Sequence, residues 1–153
     1  MSEEPVVESR TMTIKASAEV CYEVICDFEA YPKWQKVISY AKVIKNDDNG
    51  RPKVVEYKAG LLLKKVRYVL DYTYDDENNT LVWSYVEGDL EDIRGSAVFK
   101  SRGPREAEAT YSFAVTPGFT VPKRLLSYAT DKALGAGLKE FRKQAEKVAK
   151  KKR

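Results

Sequence analysis

The chain has 153 residues, 43% hydrophobic and 33% charged, which suits one domain with a real core and leaves too little for two. Its net charge of +4 is local: residues 139–153 hold eight basic and two acidic side chains, a net of +6, so the other 138 residues sum to −2. That distribution argues against a broad nucleic-acid-binding face, and the absence of histidine removes Ser-His-Asp and Cys-His nucleophiles together with the commonest metal ligand.

In chain order, residues 6–16 alternate as a first strand, with Thr11, Thr13 and Lys15 set against Met12 and Ile14. Ser17 stands where a helix N-cap belongs, and Glu19 falls in the first turn, where the helix dipole favours negative charge. Val20, Cys21, Val24, Ile25 and Phe28 recur at helical spacing and make one apolar face. Pro32 is expected to end or break this helix, and Trp34 to lie on a second short turn. Cys21 and Cys26 face different ways on a helix, so a disulfide between them is not expected, and two thiols suit a reducing compartment.

The next stretch alternates repeatedly. Strands are predicted over 37–45, 53–59, 65–74, 80–87, 94–101 and 106–115, making seven with the first, mostly spaced as an antiparallel meander. Polar and Gly-containing segments at 46–50, 75–79, 88–89 and 102–104 separate them. Gly60-Leu61-Leu62-Leu63 reads equally as an exposed apolar loop or as strand running into the core. After Pro117-Gly118, Pro122 suits a first helical turn. Leu134, Leu138, Phe141, Ala145 and Val148 then step along one helix face, interrupted by Gly135 and Gly137 at about 1 kcal/mol each. The glycines are expected to make room for a strand or a ligand. Residues 147–153, with five basic side chains, read as a frayed, solvated helix end or as a weak contact for an anionic membrane surface.

Alternation also assigns faces. The predicted concave face carries Val55, Tyr57 and Ala59, then Val66, Tyr68, Leu70, Tyr72 and Tyr74. Leu81, Trp83 and Tyr85 continue it, followed by Ala97, Phe99, Ala109, Tyr111 and Phe113. A phenol is costly to bury unless its hydroxyl finds a partner, so this tyrosine-rich set suits a partly wet hollow beneath the last helix. A core filled by the same aromatics is the other reading. The candidate ligand-binding residues are Tyr57, Tyr68, Tyr72, Trp83, Tyr85, Phe99, Tyr111, Phe113 and Leu134. No catalytic residue is assigned; Asp92 and Arg94 are the least implausible proton-handling pair. No cofactor, metal or nucleic-acid partner is expected. The acidic N-terminus lacks the apolar core of a secretory signal, and a cytoplasmic protein is expected.

Several tracts resemble the START-like (SRPBCC, Bet v 1-like) superfamily, in its bacterial polyketide cyclase/dehydrase and lipid-transport branch. They are residues 14–20 leading into the first helix, Asp27-Phe28-Glu29-Ala30-Tyr31-Pro32-Lys33-Trp34, the Leu81-Val82-Trp83 strand, residues 95–99, and the helix around Ala133-Leu134-Gly135-Ala136-Gly137-Leu138. Coenzyme-Q-binding relatives share the Tyr-Pro-x-Trp tract. The resemblance implies an α+β helix-grip fold over residues 1–153, with seven antiparallel strands curled around a long C-terminal helix and two short helices after strand 1. It further implies binding and carriage of a lipid, quinone or polyketide-like molecule, or alternatively polyketide cyclase/dehydratase activity in the same cavity.

Overall fold

Period-two alternation along the middle of the chain produces one open antiparallel sheet, gripped at its concave side by helices. A computed structural model describes residues 6–61 and 64–152. The strands are β1 (Val6–Ile14), β2 (Ile38–Asn46), β3 (Pro52–Leu61), β4 (Lys64–Asp75), β5 (Thr80–Gly88), β6 (Asp92–Ser101) and β7 (Ala107–Thr116). Their order is β1-β7-β6-β5-β4-β3-β2, every neighbouring pair antiparallel. Between the edge strands β1 and β2 the chain crosses the concave side through α1 (Ala18–Ile25), a 3-10 turn (Phe28–Ala30) and α2 (Tyr31–Trp34). The last helix, α3, spans Lys123–Lys151. The α+β helix-grip expectation therefore holds.

Local chemistry explains the helix starts. The Ser17 hydroxyl accepts from the Val20 amide at 3.1 Å, satisfying one of the donors a helix N-terminus leaves open. Pro32 does not end the first helix as expected: α1 stops at Ile25 with Cys26 as its C-cap, and Pro32 lies in the opening turn of α2. There its missing N–H costs nothing and its fixed φ is already helical. Gly60 and Leu61 belong to β3, paired with Lys65 and Lys64, while Leu62 and Leu63 lie outside the described residues.

The core is divided. Ile14, Cys21, Phe28, Val55 and Leu81 are sealed, and Phe28 stacks on Tyr72 with ring centroids 4.1 Å apart. Burying a phenyl ring of that kind contributes about 2–3 kcal/mol. The C-terminal half of α3 joins this cluster through Phe141, Ala145 and Ala149. Leu126, Leu134 and Leu138 are buried outside that cluster, and the middle of the helix, from Ala133 to Phe141, stands over the hollow.

Residues 147–151 continue α3, Ala149 is buried, and Lys152 reaches Glu23 at 3.2 Å. Ala149 packs on the core, so the basic end is tied to the fold. The convex face of the sheet carries ion pairs, Lys53 with Asp71 at 2.7 Å and Arg67 with Glu56 and Glu87 at 2.5 and 2.9 Å. Exposed pairs of this kind contribute little stability.

Candidate functional site

Between the sheet and α3 lies a cavity of about 170 Å³. β3, β4, β5 and β7 supply Tyr57, Tyr68, Tyr72, Trp83, Tyr111 and Phe113, and α3 closes it with Leu134, Gly137, Leu138 and Phe141. Among the described residues no carboxylate, guanidinium, ammonium or thiol lines it. Half-buried Gln35 and exposed Val37, from the link between α2 and β2, stand at its open side.

Seven of the nine residues singled out from the sequence meet around this one space: Tyr57, Tyr68, Tyr72, Trp83, Tyr111, Phe113 and Leu134. Tyr85 and Phe99 do not. The Tyr85 hydroxyl donates to the Leu90 carbonyl at 2.7 Å and accepts from the Leu90 amide at 3.1 Å, so it pins the turn after β5. Phe99 stacks on Phe141, centroids 5.5 Å apart, and is absorbed into packing where α3 meets the sheet. Both face the concave side as alternation requires, but each lies beyond the stretch of strand that the cavity underlies. Asp92 and Arg94 bind each other at 2.8 Å, and Arg94 is 75% exposed. Their neighbour Ile93 is the residue that lines the cavity, so alternation turns this pair away from it.

Sequence reasoning missed Tyr31. Placed by the turn before α2, it lines the cavity, and its hydroxyl donates to the Ile25 carbonyl. Its position beside Pro32 was the available signal, since a proline-started turn fixes the ring's direction. Gly95 was also missed as a determinant of shape. It pairs with Trp83 across β5 and β6, and a Cβ at Gly95 would collide with Cε2, Cζ2 and Nε1 of the indole. The glycine is what lets the indole lie flat on the sheet.

Five wall tyrosines form a graded set. Tyr57 and Tyr72 share a hydrogen bond at 2.6 Å, and Tyr31 is satisfied by backbone. Tyr57 also stacks with Tyr68 at 5.2 Å, while Trp83 leans on Tyr111 at 5.3 Å. Burial pushes every one of these phenols above its ordinary value of 10.0, Tyr111 to about 12 and the other four higher. All are neutral at pH 7. Burial likewise pushes the Cys21 and Cys26 thiols up to about 12, so neither is a ready nucleophile.

A pH dependence follows with a definite sign. Above pH 10 the unfolded chain releases phenolic protons that the folded chain keeps, so the unfolded state is favoured as pH rises. The stability these groups contribute is whole below pH 10 and is lost as pH climbs from there toward the raised folded values. Ultraviolet titration at the phenolate band is expected to show these five tyrosines ionising only together with unfolding. Smooth ionisation of all ten tyrosines near pH 10, with the far-UV signal intact, would contradict the buried wall.

Residues 6–149 match the family described as polyketide cyclase / dehydrase and lipid transport. The chain belongs to that family. Among solved structures it is similar to a START superfamily protein from Mycobacterium smegmatis, at 20% identity and TM-score 0.85, covering 93% of this chain and 98% of that one. It is also similar to the Zhui aromatase/cyclase of a Streptomyces species, at 13% identity and TM-score 0.81, covering 94% of each chain. A protein from Thermus thermophilus is similar at 19% identity and TM-score 0.81, covering 94% of this chain and 99% of that one. At such identities the likeness is one of fold, here the START-like fold. No curated protein sequence matches the chain. Among the described residues no helix is long and apolar enough to cross a membrane, and no cluster of three or more Cys, Asp or Glu side chains could hold a metal ion.

Proposed function

We propose that this protein binds and carries a hydrophobic small molecule, lipid, quinone or polyketide-like, in the cavity between the sheet and α3, without acting on it chemically. The observation that carries the reading is the lining: aromatic and aliphatic groups, with phenols that stay protonated at pH 7 and no ionised side chain among them. Such a wall solvates apolar cargo well and leaves no group tuned to move a proton near neutral pH.

The second reading, polyketide cyclase or dehydratase, is favoured by the family description and by the likeness to an aromatase/cyclase fold. It needs a group that removes a proton beside a carbonyl, and the cavity offers only high-pKa phenols for that step. Native mass spectrometry of gently purified protein separates the two. A co-purifying lipid or quinone supports carriage. Turnover of a poly-β-ketone, with nothing carried from the cell, would replace it with catalysis.

Weak contact with an anionic membrane surface belongs to the same proposal. Lys139, Arg142, Lys143, Lys147, Lys150 and Lys151 are exposed on α3 and make no ion pair among the described residues. The helix's two nearby glutamates turn elsewhere, Glu140 accepting from the Lys36 amide and Glu146 from the Lys15 amide. The outer face of its last turns therefore presents mainly cations. Each is expected to add about 1 kcal/mol at an anionic surface, so replacing Lys147, Lys150 and Lys151 by Gln should weaken vesicle binding roughly a hundredfold. Substitution is the better test than truncation, because Ala149 between them is part of the core. Equal sedimentation of both proteins with phosphatidylserine vesicles would remove the membrane contact.

A further inference from the structure

The wall phenols are not equivalent in what they have left to offer. Tyr31, Tyr57 and Tyr72 spend their hydroxyls within the protein. Tyr68 and Tyr111 have no hydrogen-bond partner among the described residues, though both rings line the cavity. No buried side-chain oxygen or nitrogen among those residues lacks a partner, so these two hydroxyls are not sealed into apolar packing. They open onto the cavity itself. Tyr68 stands on β4 and Tyr111 on β7, three places apart in the sheet, and the curl of the sheet turns both rings toward one space.

Two further observations limit what can sit there. The cavity's 170 Å³ is close to the roughly 150 Å³ that holds a benzene ring in an apolar protein interior, and well below the ~300–1,000 Å³ of ordinary ligand pockets. A compact ring system fits within it; a long acyl chain exceeds that volume and would have to project through the open side or displace α3. The wall also offers no charge to pair with a carboxylate or an ammonium, and burying either unpaired costs far more than one hydrogen bond returns.

We propose that the cavity selects a compact, neutral ring compound bearing an oxygen function, and that Tyr68 and Tyr111 recognise it by hydrogen bonding to that oxygen. This rests on the reading of the cavity as a binding site for hydrophobic cargo, and it narrows the cargo class. Each hydroxyl can donate to a carbonyl or accept from a hydroxyl, so ketones, quinones and phenols all satisfy it. The two act as specificity determinants, since the unoxygenated analogue of the cargo leaves both without a partner.

Three matched probes test this: tetralin, its ketone α-tetralone, and the anion naphthoate, titrated against the quenching of tryptophan fluorescence. The wild-type protein is expected to bind α-tetralone more tightly than tetralin and to ignore naphthoate. Tyr68→Phe and Tyr111→Phe should each lose about tenfold for α-tetralone, while affinity for tetralin moves less than about twofold. Neither substitution should lower Tm, because neither hydroxyl has a protein partner to lose. Tyr57→Phe serves as the contrast: it strands the Tyr72 hydroxyl and should lower Tm by about 3 °C. Unchanged α-tetralone affinity in both variants, or equal loss for tetralin, overturns the oxygen recognition. Naphthoate binding as tightly as the ketone overturns the neutral class. If the wild-type protein binds neither tetralin nor α-tetralone, the cavity reading itself falls with it.

Discussion

Gly137→Leu is expected to abolish cargo binding while making the protein more stable. Gly137 lies in the middle of α3 and lines the cavity, and a Cβ there would meet nothing within 4 Å. Removing a glycine from a helix interior gains about 1 kcal/mol, or ~2–4 °C in Tm for a chain of this size. The isobutyl group meanwhile has only the cavity to enter, and filling much of 170 Å³ should weaken hydrophobic cargo by a hundredfold or more. Gly135→Ala is the matched control. Gly135 also has open space around it but does not line the cavity, so it should give the same stabilisation with binding intact. Opposite movement of stability and affinity is hard to obtain from any reading in which the hollow is incidental. A Gly137→Leu protein that still takes up cargo as the wild type does would show that cargo binds elsewhere.

The second large effect concerns Gly95 and Trp83. Gly95→Ala should cost about 1–3 kcal/mol, because its Cβ would occupy space now held by the indole. The ring's escape is toward the cavity, so cargo affinity should fall with stability. Trp83→Ala alone should cost about 3 kcal/mol, at the low end for such a truncation since one side of the indole already borders open volume. Cargo uptake should weaken while the fold survives, given a total stability of ~5–15 kcal/mol. In the double variant the Gly95→Ala cost should nearly vanish, a coupling of about 1–3 kcal/mol in a double-mutant cycle. Simple additivity of the two losses in denaturant unfolding would mean that the alanine clashes with backbone rather than with the indole.

Much of this fold was legible in the residues. Alternation located seven strands because one face of each is dry and the other wet, and a shift of one residue would invert them all. Every strand was found, with ends moved by at most two residues. The Ser17 cap and the Leu134, Leu138, Phe141 stripe are similarly local facts, set by hydrogen-bonding and spacing within a turn or two. Pro32 was misread because its own chemistry allows both the end of one helix and the start of another; the three-residue turn before it decided the matter.

Alternation and composition along the chain settle which side chains face inward, that they are rich in phenols, and that a long helix covers them. Long-range packing settles which of those phenols border open space, which satisfy one another, and which are consumed by packing. Tyr57 and Tyr72 are fifteen residues apart yet share one hydrogen bond, while Tyr85, with the same alternation, turns back to its own loop. Phe99 and Phe113 obey one pattern on neighbouring strands, but α3 presses on the first and stands off the second. A period of two fixes the face of a strand and says nothing of its depth, because depth depends on how far the sheet has curled and where the helix crosses it.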